Sequence, residues 1–206
     1  MPLQAMPNYD FAIYAVHTAF WTSFGVTRMV LQRREPPGNA NAEPAPHAGA
    51  DASAPYSRTL LVMHAVAFGV MYFGLGNAVV PNRVPLWFPG QRLVGFLVIA
   101  AGAALMCWAL VWFRSWRFRA KVDRGHELAT GGPFRLVRHP IYLGLDLLAL
   151  GTAIWVPTAI CWIGAGLMVV GSDLRARAEE KLLIAAFGAA YREYGTRTSR
   201  FVPGVY

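Results

Sequence analysis

Four long apolar runs divide the chain, and its charged residues lie mostly between them. Three of these runs, at residues 11–31, 59–80 and 93–113, contain at most one charged side chain each. At a helical rise of about 1.5 Å per residue, each run is long enough to cross a hydrocarbon core of about 30 Å. The pattern therefore predicts three transmembrane helices.

The fourth run, at residues 141–171, is longer than one span needs and shorter than two full spans need. Pro157 lies near its middle, where a proline breaks a helix. We therefore expect a short helical hairpin. The sequence as a whole predicts an all-α integral membrane protein with about five transmembrane helices, the last two forming this hairpin, and a cytoplasmic C-terminal helix.

The placement of basic residues agrees with this hairpin. If the fourth run turns back, residues 28–58, residues 114–138 and the C-terminal tail share one side of the membrane, and they hold all of the 19 Lys and Arg residues except Arg83 and Arg92. Cytoplasmic segments of membrane proteins carry such an excess. The sequence thus predicts a multi-pass protein in the lipid bilayer, with the N-terminus outside and the C-terminus cytoplasmic. Topology also explains the net charge of +8, so nucleic acid is not an expected partner.

Polar residues stand at the head of the fourth run, in the stretch RLVRHPIYLG at 135–144. Proline suits the first turn of a helix, and a helix entered through Pro140 would align His139, Tyr142 and Asp146 on one face. Arg138 and His139 would then form the rim of a site at the cytoplasmic surface. Asp146 is costly inside an apolar helix, and both an ion pair with another span and a substrate contact would explain it.

A second polar group, RAEEKLL at 177–183, opens a helical pattern near the C-terminus. Glu180 is in register with Leu183, Phe187, Tyr191 and Tyr194 on one helical face. Burying this stripe would draw the Glu180 carboxylate inward. An inward carboxylate needs a partner from the protein or from a ligand.

Together, HELATGGPFRLVRHPIYLG at 126–144 and RAEEKLLIAAFGAAYREYGTRTSRFVP at 177–203 resemble the isoprenylcysteine carboxyl methyltransferase family of integral membrane enzymes, which is related to the phospholipid methyltransferases. The resemblance covers residues 124–203. It implies S-adenosylmethionine as the methyl donor, bound at the cytoplasmic membrane face by the C-terminal half. It also implies a lipophilic or small-molecule acceptor, and a carboxylate, a thiol and a lipid amine all stay open.

The resemblance extends to individual residues. By this match, part of the wall of the cofactor site is formed by His126, Leu128, Gly132 and Pro133. The family's Arg-His-Pro-x-Tyr-x-Gly stretch includes His139, Tyr142 and Gly144. The family's paired glutamates correspond to Glu179 and Glu180. Substrate selection is a further role open to Asp146. The apolar runs, the Pro/Ala-rich composition of residues 35–57 and the two motifs together divide the chain into four parts. These are a first transmembrane helix at 1–34, a flexible linker at 35–57, transmembrane helices 2 and 3 at 58–113, and a cofactor-binding region with the hairpin and C-terminal helix at 114–206.

Physical chemistry suits these residue types to a sulfonium cofactor. A glutamate, Glu179 or Glu180, would accept hydrogen bonds from ammonium or hydroxyl groups, and the Tyr142 ring would face the cation. Either Arg138 or Arg177 would orient a carboxylate of the acceptor or of the cofactor. A neutral thiol or amine acceptor would also need a base, which His139 or Glu179 provides.

Two other functions stay open. An NADPH-dependent membrane reductase of the sterol-reductase type would have to hold a 2′-phosphate, for which RSWRFRAK at 114–121 supplies cations. A non-catalytic membrane scaffold would have no use for His139 and the paired glutamates. No metal is expected, because no two of the histidines and cysteines have metal-ligand spacing.

Overall fold

The computed structural model describes residues 9–34, 57–113 and 128–205. Within these ranges the chain forms helices and no β-strand, which confirms the all-α fold. The α-helices are α1 (Ala12–Arg34), α2 (Ser57–Val79), α3 (Gln91–Phe113), α4 (Pro140–Trp155), α5 (Ala159–Phe187) and α6 (Ala189–Arg197). The predicted linker, apart from Ser57, and the predicted site residue His126 lie outside the described residues.

Three described helices are long and apolar enough to cross a membrane: Thr59–Val79, Gln91–Trp112 and Ala159–Phe187. Helix α4 is apolar but has only 16 residues. Helix α1 has 23 residues, but polar side chains such as His17 and Thr27 make it less apolar than the other long helices. These helices indicate a multi-pass membrane protein.

The fourth apolar run folds as a hairpin around Pro157, as its proline predicts. Helix α4 ends at Trp155, and the side chain of Thr158 caps α5 by accepting a hydrogen bond of 3.2 Å from the Cys161 backbone N–H. The two arms are unequal, however, because α5 continues for 29 residues through the paired glutamates to Phe187. No glycine or proline interrupts the chain between Gly171 and Phe187, so the predicted C-terminal helix is the end of α5 followed by α6.

Paired glycines bring α3 and α4 into close contact. A Cβ atom added to Gly95 would lie 2.7 Å from the Gly151 carbonyl oxygen, and one added to Gly151 would lie 2.7 Å from the Gly95 oxygen. Gly102 and Gly144 repeat this reciprocal contact at 2.7 and 2.9 Å. Small residues let the backbones of membrane helices approach in this way. The two contacts hold α4 against α3 near both ends of α4.

A hydrogen-bond network joins α1 to α2 and α4. The Thr152 hydroxyl donates to the Leu148 carbonyl at 2.7 Å, so its oxygen accepts from His17 Nε2 at 2.9 Å. His17 Nδ1 then accepts from the Tyr72 hydroxyl at 3.0 Å, and Trp21 Nε1 donates to the same hydroxyl at 2.9 Å. Every member of the network has a partner, which gives these polar groups a structural role inside the bundle.

The C-terminal segment lies beside the start of α4. Val137 and Ser199 form an isolated parallel bridge. The backbone N–H of Arg138 donates to the Ser199 carbonyl at 2.8 Å, and that of His139 donates to the Arg200 carbonyl at 3.2 Å. These bonds bring the tail of the chain to the same end of the bundle as the polar head of α4.

Candidate functional site

A cluster of charged and aromatic side chains occupies the end of the bundle where α4 begins. It is built by the start of α4, the second half of α5, helix α6 and the segment after it. We call it the charged cluster, and its members are Arg138, His139, Tyr142, Asp173, Arg175, Glu179, Glu180 and Arg200. The structure thus brings the two sequence motifs together, because α4 and α5 pack side by side.

His139 and Pro140 set the geometry of this end. Helix α4 begins at Pro140 with His139 as its N-cap residue, which agrees with the prediction. The His139 and Tyr142 rings are nearly parallel, with centroids 5.7 Å apart. One face of the first turn of α4 therefore points its polar residues at α5.

Glu180 is held by three basic residues. Its Oε1 accepts from Arg138 Nε at 3.0 Å, His139 Nε2 at 3.3 Å and Arg200 Nε at 3.0 Å, and its Oε2 accepts from Arg200 Nη2 at 2.7 Å. Only 12% of the Glu180 side chain is exposed. The partner that the sequence requires for this inward carboxylate is therefore supplied by the protein.

Glu179 has different surroundings. Its Oε1 accepts a short hydrogen bond from the Tyr142 hydroxyl. His139 Nδ1 lies 3.7 Å from its Oε2 and Arg175 Nε lies 4.0 Å from its Oε1, and both distances exceed hydrogen-bonding range. Among the described residues no donor bonds Oε2, and 28% of the side chain is exposed. Glu179 thus offers a carboxylate oxygen that a ligand can use.

The Tyr142 ring already has a cation beside it. The guanidinium carbon of Arg175 lies 5.4 Å from the centroid of this ring, which is the geometry of a cation–π contact. The sequence did not single out Arg175, because it looked like one more charge at a helix start. Its position shows that the Tyr142 ring face can hold a positive group.

Arg200 is the other functional candidate that sequence reasoning missed. It bonds both oxygens of Glu180, and its Nη1 donates to Asp173 Oδ1 at 3.1 Å. Arg200 lies 20 residues after Glu180, so helix periodicity does not indicate that the two side chains meet. The signal that could have found it is the inward Glu180 carboxylate, which requires cations from elsewhere in the chain.

The two arginines that the sequence left as alternatives have separate locations. Arg138 is in the charged cluster, where its Nη1 donates to the carbonyls of Thr198 and Gly195, the latter at 2.9 Å. Arg177 has a side chain that is 55% exposed, and it donates to Asp173 Oδ2 at 2.7 Å within α5. Of the two, Arg138 is the one that faces the candidate site.

The glycine and proline residues of the first motif have packing roles. Gly132 has a φ of +56°, and Gly131 and Gly132 lie so close to the Trp112 indole that side chains there would overlap it. Pro133 is buried beside them, and Leu128 is partly exposed. Gly144 faces Gly102 of α3. Close contacts with α3 explain why residues 132 and 144 are glycines.

Asp146 lies deeper in the bundle than the charged cluster. It is buried and accepts from the Ser172 hydroxyl at 2.7 Å. Ser172 Oγ is also 3.4 Å from His64 Nε2, and His64 Nδ1 donates to the Leu60 carbonyl at 3.0 Å. Of the two explanations offered for Asp146, the ion pair is not seen: within the described ranges no basic residue pairs with this carboxyl.

Helix α6 carries two tyrosines, Tyr191 and Tyr194, whose hydroxyls have different surroundings. The Tyr194 hydroxyl donates to the Phe134 carbonyl at 2.6 Å and so ties α6 to the loop before α4. The Tyr191 hydroxyl is buried and has no hydrogen-bond partner in the described part of the chain. Burial raises the pKa of both phenols, so both keep their protons at neutral pH.

Comparison with protein families gives a match. Residues 93–185 match the model of the isoprenylcysteine carboxyl methyltransferase (ICMT) family. A search among curated proteins gives no significant match. The matched segment runs from α3 into α5 and includes His139, Tyr142 and both glutamates. In the described ranges, no group of three or more His, Cys, Asp or Glu side chains is arranged to hold a metal ion.

Proposed function

We propose that the chain, whose residues 93–185 match the model of the isoprenylcysteine carboxyl methyltransferase family, is an integral membrane methyltransferase that uses S-adenosylmethionine. The proposed cofactor site is the charged cluster, at the cytoplasmic membrane face. The proposed acceptor is a lipophilic or small molecule with a carboxylate, a thiol or an amine.

The observation that carries this proposal is the open carboxylate oxygen of Glu179 beside the Tyr142 ring. S-adenosylmethionine presents an ammonium group and ribose hydroxyls, which a carboxylate oxygen can bind. Its carboxylate requires donors, and Arg138 Nη2 has no hydrogen-bond partner among the described residues. The chemistry of the donor set therefore fits this cofactor.

The residues of the cluster would act mainly by alignment. The bound cofactor supplies an electrophilic methyl group. The Tyr142 hydroxyl fixes the Glu179 carboxylate by a hydrogen bond. The bonds of Glu180 to Arg138 and Arg200 hold the start of α4, α5 and the C-terminal segment together. A rigid site that excludes water favours an in-line displacement, which needs little proton chemistry when the acceptor is an anion.

A neutral thiol or amine acceptor would have to lose a proton. In the neutral tautomer of His139 whose Nε2 donates to Glu180, Nδ1 carries no proton. This nitrogen faces Glu179 Oε2 across 3.7 Å. His139 Nδ1 and Glu179 Oε2 are therefore the two atoms in the cluster that would accept the proton.

The test is calorimetric titration of the detergent-purified protein with S-adenosylhomocysteine, S-adenosylmethionine and NADPH in separate experiments. We expect saturable binding of the two adenosyl ligands and none of NADPH. Binding of NADPH alone would overturn the proposal in favour of a membrane reductase. If none of the three ligands binds, the proposal is overturned in favour of a non-catalytic scaffold.

A further inference from the structure

Tyr191 and Tyr194 lie three residues apart in α6 and form a natural comparison. Their rings meet edge to face, with centroids 5.9 Å apart. The Tyr194 hydroxyl donates to the Phe134 carbonyl, whereas the Tyr191 hydroxyl has no partner in the described part of the chain. Tyr191 is only 4% exposed. A buried hydroxyl without a hydrogen bond is unfavourable, so this one calls for an explanation.

The surroundings of Tyr191 place it at the charged cluster. After burial, the charges that most affect the pKa of Tyr191 are those of Glu180, which raises it, and Arg138, which lowers it. Gly195, one turn further along α6, accepts from Arg138 Nη1 through its carbonyl. Burial raises the pKa of Tyr191, so the hydroxyl keeps its proton and is available as a donor.

The nearby groups decide what this donor can bind. Both oxygens of Glu180 are occupied by basic residues. Arg138 uses Nε and Nη1 within the protein, and among the described residues its Nη2 has no partner. A phenol hydroxyl and a guanidinium N–H together favour an anionic oxygen, and a carboxylate matches both.

We propose that Tyr191 is a ligand-binding residue whose hydroxyl donates to the carboxylate of the bound cofactor, next to Arg138. This inference rests on the proposed function for the identity of the ligand. It assigns Tyr191 a recognition role and Tyr194 a structural one, although both belong to the same helical stripe.

The test compares Y191F with Y194F by two measurements, the affinity for S-adenosylhomocysteine and the melting temperature of the ligand-free protein. Y191F should weaken binding roughly 10- to 100-fold, the range for a hydrogen bond to a charged group. Its ligand-free melting temperature should stay the same or rise, because the variant removes an unsatisfied polar group. Y194F should bind with unchanged affinity and melt at a lower temperature.

A second ligand tests the carboxylate assignment. Decarboxylated S-adenosylhomocysteine should bind the wild type more weakly than the parent compound does, and Y191F should bind it as the wild type does. An equal loss of affinity for both ligands in Y191F would overturn the carboxylate assignment.

The outcomes separate this inference from the proposed function. If the wild type does not bind S-adenosylhomocysteine, the proposed function fails. If the wild type binds it and Y191F binds it equally well, only the role of Tyr191 fails. A lower ligand-free melting temperature for Y191F would also contradict the inference, since it would mean that the hydroxyl stabilises the fold.

Discussion

Glu179 and Glu180 are adjacent in α5, yet their carboxylates have opposite environments. Glu180 accepts hydrogen bonds from Arg138, His139 and Arg200, whereas Glu179 accepts one from the Tyr142 hydroxyl. Consecutive helical residues point about 100° apart, so Glu180 reaches Arg138 and the C-terminal segment, whereas Glu179 reaches Tyr142 in the first turn of α4. The two glutamates therefore differ: both oxygens of Glu180 accept hydrogen bonds, whereas Oε2 of Glu179 accepts none from the described residues.

Glu179→Gln should weaken the binding of S-adenosylhomocysteine and leave the fold intact. The amide keeps a hydrogen-bond acceptor for Tyr142 but removes the negative charge that an ammonium group needs. We expect a loss of affinity of roughly 10- to 100-fold by calorimetry. The melting temperature should change little, and unchanged affinity would remove Glu179 from the site.

Glu180→Ala should destabilise the protein before it affects binding. The substitution leaves Arg138 and Arg200 partly buried without their shared carboxylate, and removing one member of a buried ion pair costs about 3–5 kcal/mol. Thermal unfolding in detergent measures this loss. Arg177→Ala is the matched control, because its exposed pair with Asp173 is worth about 1 kcal/mol or less. Equal melting temperatures for the two variants would contradict the structural role.

Gly144→Ala should loosen the contact between α3 and α4. The added methyl group would lie 2.9 Å from the Gly102 carbonyl oxygen, and overpacking of this kind costs about 1–3 kcal/mol. Gly166→Ala is the control, since nothing lies within 4 Å of its added Cβ. That variant should be neutral or slightly stabilising by helix propensity. Thermal unfolding of both variants checks the prediction, which fails if Gly144→Ala melts no lower than the control.

Asp146 and Ser172 should respond differently to substitution. Asp146→Asn keeps an oxygen that accepts from the Ser172 hydroxyl, so the melting temperature should stay close to that of the wild type. Ser172→Ala removes the hydrogen bond that Asp146 receives and should cost about 1–3 kcal/mol. If Asp146 selects the acceptor, Asp146→Asn should change the relative turnover of carboxylate and neutral acceptors. Unchanged turnover and preference would leave it with a structural role alone.

Local sequence features predicted the elements that need no distant partner. The apolar runs predicted the long helices, Pro157 predicted the hairpin, and Pro140 predicted where α4 begins. These features work locally, through hydropathy over one span and through the missing N–H of proline. The unequal hairpin arms were not predicted, because the change from apolar to charged sequence near Asp173 suggested a boundary that the backbone does not have.

The sequence by itself determined the membrane class, the helical elements and the family motifs that point to methyl transfer. Only the tertiary structure decided which charged residues meet. Arg200 reaches Glu180 although 20 residues separate them, and Arg175 lies beside the Tyr142 ring although the sequence did not single out Arg175. The reason is physical: hydropathy and helix periodicity act along the chain, whereas the pairing of a buried carboxylate depends on the cations that packing brings to it.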